Sequence, residues 1–132
     1  MSEAIANDEE RGGLELPEIP LFPLRTVLFP EGVLPLRIFE PRYVDMIRWC
    51  MRNQVNFGVV LLRTGSDVAD KNADAMPDVF RVGTEAKIVD FNQADNGLLG
   101  IVAQGGRKFS IKESYLQKDG LLKATVEFAK DE

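Results

Sequence analysis

The chain contains no histidine and a single cysteine, Cys50. Without histidine there is no Ser-His-Asp or Cys-His catalysis, no His-based zinc site and no ordinary general base near neutral pH. One cysteine can form neither an internal disulfide nor a Cys-rich metal site, and a reducing, cytoplasmic setting follows. No apolar run approaches the ~20 residues that span a bilayer, and the first ten residues lack the positive start and apolar stretch of a secretory signal. There is no Gly-x-x-x-x-Gly-Lys-Ser/Thr phosphate loop, and no Gly-x-Gly-x-x-Gly follows a strand. Acids are plentiful, but their spacing singles out no catalytic pair. The sequence therefore reads as a non-enzyme without a cofactor or metal.

A basic excess is also missing. The 132 residues carry 16 bases and 21 acids, for a formal net charge of −5. Residues 1–18 hold six of those acids (Glu3, Asp8, Glu9, Glu10, Glu15, Glu18) and one base, Arg11, so the remainder balances at 15 of each sign. A neutral body has no electrostatic footprint for nucleic acid or for an anionic membrane. Hydrophobic residues make up 45% of the chain, which suits one globular domain burying about two-thirds of its unfolded surface.

Residues 1–16 read as an acidic flexible tail, since they are charged, contain Gly12-Gly13 and lack aromatics. Between Pro17 and Pro41 lie six of the seven prolines, interleaved with apolar residues. Proline cannot donate to a sheet ladder and breaks helix interiors, so short extended pieces are expected near 19–24, 26–29 and 33–39. Pro30-Glu31-Gly32 is the turn between the last two. Pro41 opens a helix over about 41–53, with Tyr43, Met46, Ile47 and Cys50 at i, i+3, i+4 and i+7 forming one buried face. Trp49 lies about 100° from Cys50 on the polar half of the helix. It either folds over the rim of the core or stands as an exposed aromatic anchor for a partner.

Phe57–Leu62 is a continuous apolar strand, followed by a loop over 64–78 whose Asp67, Asp70 and Asp74 match no EF-hand spacing. Val79–Val82 leads through Gly83 into 84–91, with Ala86, Ile88 and, after a slip, Phe91 facing inward. Asp95-Asn96-Gly97 is a tight-turn signature before Leu98–Gln104. Gly105-Gly106 is expected to bend the chain into Arg107–Lys112, with Phe109 and Ile111 inward. Lys118-Asp119-Gly120 then turns it into Leu121–Phe128, with Leu122, Ala124, Val126 and Phe128 on one face. Arg107, Lys108 and Lys112 read as a solvated strand face whose charge neighbouring acids cancel. Seven or eight short strands and one helix point to an α+β, mainly β fold, a barrel or coiled sheet with the helix plugging one opening.

The run Ile19-Pro20-Leu21-Phe22-Pro23-Leu24, then Val27-Leu28-Phe29-Pro30, then Leu34-Pro35-Leu36-Arg37-Ile38-Phe39-Glu40-Pro41-Arg42-Tyr43 resembles the opening of the Lon N-terminal (substrate-binding) domain. Stand-alone bacterial and RING-linked forms are the nearest in pattern. Phe57-Gly58-Val59, Val82-Gly83-Thr84 with Ala86 and Ile88, and Asp119-Gly120 with Ala124 continue it in order, so the resemblance spans 17–128. Lys108 departs from it, since relatives place arginine before the phenylalanine.

The resemblance implies a PUA-like pseudo-barrel over 17–132. The helical subdomain that usually follows in the family is expected to be absent or truncated. The ATPase and Ser-Lys protease modules of full Lon enzymes are missing, so proteolysis does not carry over. What does carry over is a module for unfolded or exposed-apolar polypeptides, as an adaptor or quality-control factor. Trp49, Phe22, Phe29, Arg42, Tyr43 and the 64–78 loop are its contact candidates. The alternatives are a PUA-like RNA-binding module, by fold analogy alone, and a self-assembly domain whose apolar surface is a homo-oligomer interface.

Overall fold

A computed structural model describes residues 16–63, 76–93 and 98–130. Along the chain come β1 (Glu18–Leu24), β2 (Val33–Ile38), α1 (Pro41–Asn53), β3 (Phe57–Leu62), β4 (Val79–Gln93), β5 (Leu99–Leu116) and β6 (Leu122–Phe128). The sheet order is β2-β5-β4-β3-β1-β6, and β5 also pairs with β6. The circuit β5-β4-β3-β1-β6 therefore closes on itself, with β2 laid beside the first half of β5. Only β1 and β3 run parallel; every other pair is antiparallel. Among the described residues, closure leaves β2 as the free edge, where Pro35 removes a donor that an added strand would need. This is the mainly β, PUA-like pseudo-barrel that the resemblance implies.

The helix follows its sequence pattern. Pro41 stands in the first turn, where its absent N–H costs nothing, and Tyr43, Met46, Ile47 and Cys50 are its buried residues. The helix ends as Gln54 turns left-handed (φ 58°), with Val55 N–H donating to the Cys50 carbonyl at 3.0 Å. Its apolar face joins Phe22, Phe57, Ala86, Leu99, Ile101 and Ala103 in one core cluster at one end of the barrel. A second cluster, Leu21, Val60, Phe109, Ile111, Leu122, Ala124 and Val126, fills the rest.

Two expectations need correction, and glycine explains one of them. Residues 79–93 form one strand through Gly83, as expected, and Gly83 is there a point of close approach. A Cβ there would lie 2.5 Å from the Val59 carbonyl oxygen and 2.6 Å from Phe109 Cζ. First, β5 runs unbroken through Gly105-Gly106, where Gly105 exchanges backbone hydrogen bonds with Glu31 and Gly32, each 2.8 Å. There a Cβ would run into the Phe29 carbonyl. Second, residues 26–29 are not a strand: they form an irregular span that buries only Leu28, so the strands number six among the described residues. The expected turn follows it, with Gly32 N–H donating to the Phe29 carbonyl at 2.8 Å and Glu31 taking φ 68°.

Phe91 also departs from expectation. The register shifts between Ile88 and Asp90, yet Phe91 stays 55% exposed. Opposite core residue Ile101 in the register, it lines a hollow of about 580 Å³ with Met51, Val55 and Ile88. The Asp95-Asn96-Gly97 turn lies outside the described residues, but Gln93 pairs opposite Leu99, as the hairpin requires.

The expected cancellation of the Arg107, Lys108 and Lys112 face is partly built from ion pairs. Arg107 bonds Glu85 at 3.0 Å and Lys112 meets Glu127 at 3.3 Å. Burial pushes the Glu85 carboxyl up, but hydrogen bonds from Arg107 and Asn56, together with the Arg107 charge, outweigh it and hold the group below the ordinary glutamate value of 4.5. A depressed folded pKa gives stability that is present above the unfolded value and lost as pH falls through the folded one. Glu85→Gln should therefore cost about 1–2 kcal/mol at neutral pH. Thermal unfolding from pH 7 downwards should show the gap from wild type closing below the ordinary glutamate value. A gap independent of pH would refute this role for the charge.

Candidate functional site

Side chains of β3, β4, β5 and β6 meet the span between β1 and β2 along one apolar groove of about 670 Å³. Its walls carry Val27 and Phe29 from that span, Phe80 and Val82 from β4, Leu61 from β3 and Phe128 from β6. Phe29 is 66% and Val82 62% exposed, and Val27 and Phe80 are each more than two-fifths exposed. Four exposed apolar side chains around one groove form the kind of apolar patch that marks a binding surface.

The groove is held by structure beneath it. Leu28, 3% exposed, anchors the span between Val27 and Phe29, while Gly105 lets it lie against β5. Arg63 stands 5.6 Å from the Phe80 ring centre and Arg107 3.8 Å from that of Phe128, fixing two wall aromatics by cation–π contact. Each guanidinium is itself paired, Arg63 with Asp78 at 3.4 Å and Arg107 with Glu85.

Of the residues expected to contact a polypeptide, Phe29 alone lines this groove. Phe22 and Tyr43 are only 8% and 7% exposed and stack on each other at 4.3 Å between ring centres. They tie α1 to β1 and present almost no surface. Arg42 latches the helix start to the β5–β6 turn: its Nη1 donates to the Gly120 carbonyl at 2.8 Å, and its guanidinium lies 4.8 Å from the Tyr43 ring centre. Trp49 is 41% exposed on α1, with Lys123 Nζ 5.6 Å from its ring centre, and takes no part in the groove. Residues 64–75 of the expected loop, including Asp67, Asp70 and Asp74, lie outside the described residues.

Sequence reasoning missed Val27, Phe80 and Val82. The signal was present in Val79-Phe80-Arg81-Val82, where apolar residues occupy both faces of a strand.

The exposed walls of the site offer apolar contact. Burial pushes the Cys50 thiol up to about 11, against a weaker pull down from Lys123, so it is a core residue and not a nucleophile. Among the described residues no group of acids and cysteine could hold a metal ion, and no helix is long and apolar enough to cross a membrane.

Comparison with known proteins agrees with this architecture. The family model described as the ATP-dependent protease La (LON) substrate-binding domain matches residues 18–132. A Lon protease of Anaeromyxobacter dehalogenans is 32% identical over 114 residues, 86% of this chain and 13% of that protein. Lon protease 2 of Myxococcus xanthus is 31% identical over 119 residues, 89% of this chain and 14% of that protein. The chain thus spans about one-seventh of these relatives. A crystal structure of a Lon N-terminal domain protein from Xanthomonas campestris superposes with a TM-score of 0.73 at 33% identity, over 87% of this chain and 61% of that one. The N-terminal domain of a Mycobacterium avium complex Lon protease shares the fold, with a TM-score of 0.62 at 14% identity, over 88% of this chain and 56% of that one. On the match over 18–132, this chain belongs to the Lon substrate-binding domain family.

Proposed function

We propose that this chain is a non-catalytic polypeptide-recognition module, an adaptor or quality-control factor that holds exposed apolar segments of unfolded proteins in the groove walled by Phe29 and Val82. One observation carries the reading: four large apolar side chains from two separate parts of the chain stand exposed around a single groove. The family's description as a substrate-binding domain supports the same reading. Binding is the activity assigned to this groove.

The test is a titration of a permanently unfolded polypeptide, reduced and carboxymethylated α-lactalbumin, followed by fluorescence anisotropy. Phe29→Ser with Val82→Ser should weaken binding about tenfold or more, as expected when central apolar contacts are truncated. Trp49→Ala should leave it unchanged. Undiminished binding by the double variant, with its thermal midpoint retained, would overturn the assignment to this groove.

A further inference from the structure

The charged groups around the groove do not balance, and the imbalance specifies what sort of apolar segment fits. Glu127 lines the groove but already pairs with Lys112 at 3.3 Å. The guanidinium charges behind the Phe80 and Phe128 rings are met by Asp78 and Glu85. Lys108 and Lys130 also line the groove, and among the described residues neither enters an ion pair. The result is an apolar trough whose two uncompensated charges are both positive.

We propose that the groove prefers apolar segments that carry carboxylates, with Asp or Glu side chains flanking the apolar residues and meeting Lys108 and Lys130. The inference rests on the polypeptide-recognition reading and deepens it. The two lysines come from different places, one from mid-β5 and one from just past β6, so they converge only in the folded barrel. Apolar burial supplies the bulk of the binding, as in other docking grooves, and the rim charges set which segments are favoured. Segments flanked by lysine would meet two like charges that no ion pair among the described residues offsets. Because the pairs sit at a solvated rim, their effect is modest and fades with salt.

The probes are three fluorescently labelled synthetic peptides with one apolar core, flanked by aspartates, serines or lysines, titrated against the full chain. At low salt the aspartate-flanked peptide should bind about three- to tenfold tighter than the lysine-flanked one, with serine between. Raising the salt should bring the three together. Charge reversal by Lys108→Glu with Lys130→Glu should invert the order, with the thermal midpoint checked in parallel. Equal binding of all three peptides, lost in Phe29→Ser with Val82→Ser, would overturn the charge preference while leaving the groove's role intact. An order that survives charge reversal would place the preference elsewhere and overturn the inference. Failure of all three peptides to bind would overturn both.

Discussion

Phe109→Ala is expected to destabilise the domain by about 3–5 kcal/mol, the range for removing a buried phenylalanine ring. That corresponds to a fall in thermal midpoint of about 10–20 °C. The effect is large because the ring is the centre of the second core cluster, packed edge-on to Phe128 at 6.1 Å. It also fills the space that two glycines leave. A Cβ on Gly58 would come within 2.7 Å of Phe109 Cζ, and one on Gly83 within 2.6 Å.

This geometry makes a sharper double-mutant test. Gly58→Ala meets only side-chain atoms, the Phe109 ring and Leu21 Cδ2, whereas Gly83→Ala also meets the Val59 carbonyl oxygen at 2.5 Å. Each should cost about 1–3 kcal/mol alone. Placing Phe109→Leu in the background should relieve much of the Gly58→Ala cost and little of the Gly83→Ala cost. Urea unfolding of the set measures this directly. Equal relief at both glycines would mean the Val59 backbone yields and would contradict the account of Gly83.

Gly105→Ala should be the second severe change, and the one that connects fold to function. The added methyl runs into the Phe29 carbonyl and also approaches Leu28 Cγ at 3.2 Å, so the span between β1 and β2 must lift off β5. A cost of about 2–3 kcal/mol is expected, since backbone and a buried anchor obstruct the new atom rather than a free side-chain end. Moving that span displaces Val27 and Phe29, so polypeptide binding should fall about tenfold as well. Gly106→Ala is the matched control. Its methyl would approach Glu85 Oε1 at 3.2 Å and no backbone atom closer than 3.7 Å, so both stability and binding should change far less than in Gly105→Ala. If Gly105→Ala were as mild as Gly106→Ala, the groove wall would not depend on this approach.

What could be read from sequence was whatever local periodicity encodes. The stripe Tyr43, Met46, Ile47 and Cys50 repeats at the helical period, and all four are buried as that period requires. Asp119-Gly120 encodes its turn equally locally: Gly120 has φ 90°, and the Asp119 carboxylate accepts the Leu121 N–H at 3.0 Å. Gly105 misled because a bend and a close approach to distant backbone need the same residue. Only the fold shows that Phe29 is what approaches it. Phe22 gave no local sign of its burial in its proline-broken stretch, and what covers it is the Tyr43 ring, 21 residues along the chain. The groove was illegible for the same reason. Its walls come from positions near 28, 81 and 128, and no local pattern says that these meet.

The central claim, that this groove holds the polypeptide, is most directly tested by amide chemical-shift mapping. A labelled sample of the full chain is titrated with the unfolded α-lactalbumin used above. The account predicts shifts concentrated at Val27, Phe29, Phe80, Val82 and Phe128, with the α1 amides around Trp49 unmoved. Shifts centred on α1 and Lys123, with the groove residues silent, would contradict it.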